Sequence, residues 1–322
     1  MIHETVQLDS AGEYTLIRRL LEPDGMPSAP KPAPVFLFVP GGGFASCFPS
    51  DQEAMLLRFM SYGYASFTFT YPVRRRYRFP DILIYLSKAI QMIRQHAVEW
   101  NIAPNKIVVA GCSAGAFIAG ALGGLWNAAE IQDKAGCGAQ ENRPDVLMLC
   151  YGPLHTTQQT EQELLYVPAS QYVGRHTPPS YLMHAADDPI VPVEQSLAYA
   201  GALANAQVPF GMYITPTAGH FGLQYQTRKV SETGKLTSEM DDWFHSFLLF
   251  ADNAFGTSPT PEAAPKMVPP PGVATKIVRE APKIRPGSYA ADLKMNFFGE
   301  MCPEAFVRTY DPTKTVAEQT LS

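Results

Sequence analysis

The sequence predicts an α/β fold with a doubly wound, mostly parallel sheet, and three observations carry that prediction. Strand-like runs alternate with amphipathic stretches from about residue 5 to residue 250, the pattern of a sheet layered between helices. The run Val35-Phe36-Leu37-Phe38-Val39 is apolar at every position, as in a strand covered on both faces rather than one. A helical stretch leads directly into the strand at Val108 and a second one leaves it, which makes a βαβ unit with the parallel sheet it implies.

Taken in order, Thr5–Leu8 and Tyr14–Leu20 alternate on either side of Asp9-Ser10-Ala11-Gly12 and predict an antiparallel hairpin at the sheet edge. A Pro-rich connector, Pro27 to Pro34, leads into the Val35–Val39 strand, which ends in Pro40-Gly41-Gly42-Gly43-Phe44. Ser50-Asp51-Gln52-Glu53 has capping-box spacing, opening a helix with Met55, Leu56 and Phe59 that stops at Gly63. A strand follows from Ala65 to Tyr71. Past the basic run Arg74-Arg75-Arg76-Tyr77-Arg78, a helix from about Pro80 to Trp100 places Ile82, Leu86, Ala89, Ile93 and Ala97 on one face. Later strands are expected at Val146–Tyr151, Tyr181–His184 and Phe210–Ile214, with helices at Val193–Ala204 and Ser238–Phe250.

The central motif is Val108-Val109-Ala110-Gly111-Cys112-Ser113-Ala114-Gly115-Ala116, a β-branched run breaking into Gly-x-Ser-x-Gly and then a helix of small residues. Such a turn holds a serine hydroxyl at the top of a sheet, with free N–H groups of a helix N-terminus beside it. Two other readings compete. The motif is short enough to arise by chance, and the uncharged stretch Ile107–Asn127, with Gly120-x-x-x-Gly124, has the length of a membrane span. The choice rests on whether an acid, a histidine and a set of oxyanion donors follow the required order.

Removing the serine proton near neutral pH needs an imidazole, and the imidazole needs a carboxylate to fix its tautomer and stabilise its charge. His184-Ala185-Ala186-Asp187-Asp188-Pro189-Ile190-Val191 puts an acid on the loop after the Tyr181 strand. Open sheets place their ligands at that end of their strands. Asp188, directly before Pro-Ile-Val, is the preferred acid and Asp187 the turn residue. Thr217-Ala218-Gly219-His220-Phe221-Gly222 follows the next strand, so His220 is the base candidate. His96 and His245 lie in expected helices and His184 in a strand, while His3, His155 and His176 lack the order or context. The candidate catalytic set is Ser113, Asp188 and His220. For the oxyanion, the amides of Gly42, Gly43 and Ala114 are the expected donors. Phe44, Arg74, Tyr77 and Cys112 are candidates for a substrate groove, with a solvated or ion-paired loop the favoured reading of the arginine run.

Composition narrows the partners. The 322 residues are 46% hydrophobic with a formal net charge of −5, which argues against a nucleic-acid surface. Cys47, Cys112, Cys137, Cys150 and Cys302 are odd in number and scattered, without a C-x-x-C pair. Reduced thiols are therefore expected, with neither a disulfide framework nor a metal site. Met1–Thr5 lacks a basic and an apolar signal region, so a cytoplasmic location is expected.

Pro40-Gly41-Gly42-Gly43-Phe44, Ser50-Asp51-x-Glu53, Tyr71, Gly111-x-Ser113-Ala114-Gly115, Asp188-Pro-Ile-Val and Gly219-His220 together resemble the α/β-hydrolase serine esterases. Within them they resemble the acetyl-esterase and lipase-like branch related to acetylxylan and feruloyl esterases. The resemblance spans residues 5–250. Pro40 stands where lipase-like members carry a histidine, Cys112 where an acidic residue is common, and Ala185 where glycine is usual. The resemblance implies a hydrolase of small acyl esters, with acetylated carbohydrate as the candidate substrate and no cofactor. A peptidase or amidase on the same residues, or a non-catalytic binding protein, are the alternatives.

Two regions follow. Residues 1–252 form the expected catalytic domain, and 253–322 a Pro-rich linker and arm, since Pro259, Pro261, Pro265, Pro269, Pro270, Pro271, Pro282 and Pro286 suit neither a helix nor a central strand. Met295, Phe297, Phe298, Met301 and Phe306 predict that the arm docks on the catalytic domain or on a neighbouring subunit, making a homo-oligomer. A loose tail is the other reading. No membrane partner is expected.

Overall fold

The computed structural model describes residues 2–21, 31–47, 53–73, 79–155, 158–159, 165–166, 168–220 and 242–256. In chain order the elements are β1 (Ile2–Gln7), β2 (Thr15–Leu20), β3 (Ala33–Val39), α1 (Glu53–Ser61), β4 (Ala65–Thr70), α2 (Asp81–Gln95), β5 (Ile102–Cys112), α3 (Ala114–Leu125), α4 (Ala129–Ala135) and β6 (Val146–Cys150). A two-stranded ribbon, β7 (Gln158–Gln159) and β8 (Leu165–Tyr166), precedes β9 (Ser180–Ala185), α5 (Glu194–Asn205), β10 (Phe210–Thr215) and α6 (Asp242–Gly256).

Eight strands form one sheet in the order β1-β2-β4-β3-β5-β6-β9-β10. The hairpin β1–β2 and the β2–β4 pair are antiparallel, and every other pairing in this sheet is parallel. From β3 the chain passes to β4 on one side and then, through α2, to β5 on the other. The crevice above β3 and β5 is therefore the point where strand order reverses, the usual ligand position of an open α/β sheet. Val39 pairs with Gly111 there, which sets the glycine loop beside the Gly-x-Ser-x-Gly turn.

Both faces of the central strands are buried, as the unbroken apolar runs require. Val35, Leu37, Val39 and Val109 point into a core shared with α2 and α3, while Phe36, Phe38, Val108 and Ala110 point into a second core under α1 and α6. In the second core Phe59 stacks on Phe36 at 3.7 Å and meets Phe244 edge-on at 5.0 Å. All twelve residues of α3 are buried, so its hydrophobicity reflects the sheet below and the helices around it. A Cβ on Gly124 would lie 2.5 Å from Tyr172 backbone, and one on Gly123 2.4 Å from Leu147. The small residues of the span-like stretch are thus sites of close approach. Among the described residues no helix is long and apolar enough to cross a membrane.

Several boundaries differ from expectation. Helix α2 ends at Gln95 rather than Trp100: the chain tightens after His96, whose N–H bonds to Met92, and Ile102 N–H returns to Ala97 O. Ala97 stays buried regardless. Helix α4 was not anticipated, although its signals are ordinary: Lys134 pairs with Glu130 one turn away, and Gly136 ends it in the left-handed region at φ 70°. Helix α6 runs on to Gly256. The Ser50–Gln52 part of the capping box, the Arg74–Arg78 run and the arm beyond Gly256 lie outside the described residues.

Candidate active site

Local backbone chemistry sets the turn at Ser113. Strand β5 delivers Ser113 to the first turn of α3 at φ 52°, ψ −121°, a conformation that costs an L-residue of order 1–3 kcal/mol. The turn survives because its flanks are clamped. Ser113 N–H donates to Cys150 O at 2.9 Å, and Ser113 O accepts from Ala116 N–H at 3.0 Å. The glycines allow this closeness, because a Cβ on Gly111 would meet Gly115 O at 2.2 Å and one on Gly115 would meet Val39 O at 2.1 Å. Both obstacles are backbone and cannot rotate away. Gly115→Ala should therefore cost about 3 kcal/mol, the upper end of overpacking penalties, read as a lower denaturation midpoint at unchanged slope.

Ser113, His220 and Asp188 meet at this turn. His220 Nε2 lies 3.1 Å from Ser113 Oγ, and His220 Nδ1 lies 2.7 Å from Asp188 Oδ2. All three are buried, with 9%, 5% and 7% of their surface exposed, enough shielding to strengthen each hydrogen bond. Asp188 Oδ1 accepts the N–H groups of Ile190 and Val191 at 2.8 and 2.9 Å, so the residues following the acid hold it in place. Burial by itself raises the carboxyl pKa. The hydrogen bonds from His184 and His220, the His220 charge and the Val191 N–H outweigh burial, and the Asp188 carboxyl sits well below the usual carboxylate range.

Asp187 is more than a turn residue. Its Oδ1 accepts the N–H groups of Ala218 at 2.9 Å and Gly219 at 2.8 Å, tying the acid loop to the loop that carries His220. Asp187→Ala should lower kcat by about 10- to 100-fold, the effect of a small misplacement of a reacting group. Asp187→Asn, which keeps the acceptor, should retain most of the rate. A chromogenic ester assay checks both.

On the opposite side, Gly42 (φ 124°) and Gly43 (φ 59°) take positive φ angles, and Gly42 O accepts the N–H groups of Ala45 and Ser46 at 3.0 Å. This tight turn stands over Ser113: a Cβ on the preceding Gly41 would lie 3.1 Å from Ser113 Cβ. Tyr71 donates its hydroxyl to Pro40 O at 2.7 Å, holding the start of the loop. Ala114 is the first residue of α3, and its N–H has no acceptor within the helix.

The groove candidates fare differently. Phe44 is buried and packs edge-on to Phe117 at 6.0 Å, so its ring belongs to the core. Cys112 is 1% exposed and lies in the second core, beneath the turn rather than on a groove. Alternation along β5 explains this, since Cys112 falls on the same face as Val108 and Ala110. It pairs in register with Cys150, whose thiol is pushed well above its ordinary range by the hydrogen bond with Cys112 and then by burial. Cys47, Cys112, Cys137 and Cys150 are all free thiols. Arg74 and Tyr77 lie outside the described residues.

One neighbour escaped the sequence reading. Tyr151, directly after β6, takes φ 39° and sets its ring edge-on to the His220 ring at 4.8 Å. Its only sequence signal was its position at a strand's C-terminal end.

Residues 26–161 match the BD-FAE family model. The chain is 30% identical over 207 residues to endo-1,4-beta-xylanase B of Butyrivibrio fibrisolvens, a match covering 57% of this chain and 32% of that protein. It is 27% identical over 215 residues to esterase LipC of Mycobacterium tuberculosis, covering 59% and 53% respectively. The chain thus spans about half or less of the length of these relatives. Among solved structures, MGS-M1, an alpha/beta hydrolase enzyme from a Medee basin deep-sea metagenome library, superposes at a TM-score of 0.65 with 23% identity, covering 80% of this chain and 98% of that one. The acetyl ester-xyloside bifunctional hydrolase of Caldicellulosiruptor lactoaceticus superposes at 0.58 with 27% identity, covering 76% and 96%. The chain accordingly has the fold of these alpha/beta hydrolases and is similar to esterases, and the segment that carries its glycine loop and Ser113 is the part that matches BD-FAE.

Proposed function

We propose that the protein is a serine carboxylic-ester hydrolase for small acyl esters. The observation that carries this reading is the unbroken chain of contacts from Ser113 Oγ through His220 to Asp188 Oδ2, at 3.1 and 2.7 Å. Ser113 attacks the ester carbonyl as His220 Nε2 takes its proton, and the Gly42, Gly43 and Ala114 N–H groups hold the oxyanion. His220 returns the proton to the leaving alcohol, water then attacks the acyl-enzyme, and the acid is released. Asp188 stays ionised throughout, fixing the imidazole tautomer and stabilising its charge.

Relatives support the substrate class. One is an esterase by name, one a xylanase, and one structural neighbour an acetyl ester-xyloside hydrolase, so acetyl groups on xylose-based sugars are the natural ester to offer first. The test is a panel of p-nitrophenyl esters from acetyl upward, an acetylated xyloside and an aminoacyl anilide, beside labelling with a fluorophosphonate probe. Turnover of the short esters and labelling at Ser113 are expected. Faster cleavage of the anilide would make the protein an amidase or peptidase, and an unlabelled, inert Ser113 would leave only the binding-protein reading.

A further inference from the structure

His184 is wholly buried in β9, beside the carboxylate that His220 also contacts. Its Nε2 stands 2.8 Å from Val191 O and 3.3 Å from Asp188 Oδ2, and its Nδ1 2.7 Å from Ser196 Oγ on α5. A carbonyl oxygen only accepts, so the Val191 contact requires the proton on Nε2. That N–H is donated to Val191 O and lies beside the Asp188 carboxylate. In the neutral ring Nδ1 is then the acceptor, and the Ser196 hydroxyl donates to it. The loop from Ala186 to Val191 therefore closes around a fixed imidazole.

Asp188 consequently accepts the N–H groups of Ile190 and Val191 on Oδ1 and of His220 Nδ1 on Oδ2, and His184 Nε2 stands 3.3 Å from the same Oδ2. We infer that His184 is a positioning residue for the proposed reaction, an internal template that anchors the Asp188 carboxylate. This rests on the ester-hydrolase reading for its catalytic consequence, though the geometry stands apart from it. One effect follows. Without the His184 imidazole the carboxylate loses one of the groups that fix its direction, so kcat falls while KM, set by other groups, holds.

The test compares wild type with His184→Leu, His184→Gln and Ser196→Ala, rates being normalised to active sites titrated with a fluorophosphonate. For His184→Leu a kcat loss of about 10- to 100-fold is expected, with KM within about twofold. His184→Gln, which retains an N–H, should recover part of the rate. Ser196→Ala, which removes the donor to Nδ1, should lower kcat by less and serves where His184→Leu fails to fold. A wild-type protein inert toward every ester would remove the hydrolase reading. An unchanged kcat in His184 variants that fold would overturn the role of His184 alone.

Discussion

Ser113→Ala should lower kcat for p-nitrophenyl acetate by about 10⁶-fold, as loss of the nucleophile does in comparable serine hydrolases. Alanine tolerates φ 52° no better than serine, so the strain at this position stays and the melting temperature should barely move. Ser113→Gly separates the two roles. Glycine accepts the same backbone angles without penalty, and after its extra unfolded-state entropy the variant should be more stable by about 1 kcal/mol. An inactive protein more stable than the parent would be direct evidence that the turn is held strained for the sake of its hydroxyl. Calorimetry and an ester assay on the three proteins decide it; a Ser113→Ala protein of near-normal rate would sink the proposed mechanism.

The second large effect is Asp188→Asn, expected to cut kcat by about 10⁴-fold. The shape of the residue survives, but its amide NH2 has to face either the two imidazoles or the Ile190 and Val191 N–H groups, and it can accept from neither. The same variant changes stability against pH. The folded-state pKa of Asp188 lies below its unfolded value, so the unfolded chain takes up the proton more readily. The resulting stabilisation is fully present above the unfolded pKa of about 4. It is lost as pH falls through that value toward the folded one. Melting temperatures of wild type and Asp188→Asn should therefore converge as pH falls below about 4 and differ by a constant amount from pH 5 to 8. A gap that widened on acidification would contradict the depressed pKa.

Much of the site was legible because its residues stand where the chain changes element. Ser113, Asp188 and His220 each follow a strand whose composition announces it, and the glycines beside Ser113 and Val39 mark turns that side chains cannot enter. Periodicity was a poorer guide where tertiary contacts override it. Helix α2 has apolar spacing as far as Ala97 but stops at Gln95, because the chain closes there onto the start of β5. Cys112 looked available next to Ser113, yet β5 turns it into the core. Side-chain direction depends on which face of a sheet another element covers.

By itself the sequence determined the layered fold, the edge hairpin and the order in which a serine, an acid and a histidine follow strands, since these depend on local pattern and chain order. Only the tertiary structure decided how the two adjacent acids divide their work. Asp188 faces two imidazoles while Asp187 grips the loop that brings His220 into place. Nor does any local pattern distinguish a histidine that fills a strand from one that braces a carboxylate. That distinction belongs to distances of about 3 Å between groups far apart in the chain, and such distances exist only once the sheet has closed.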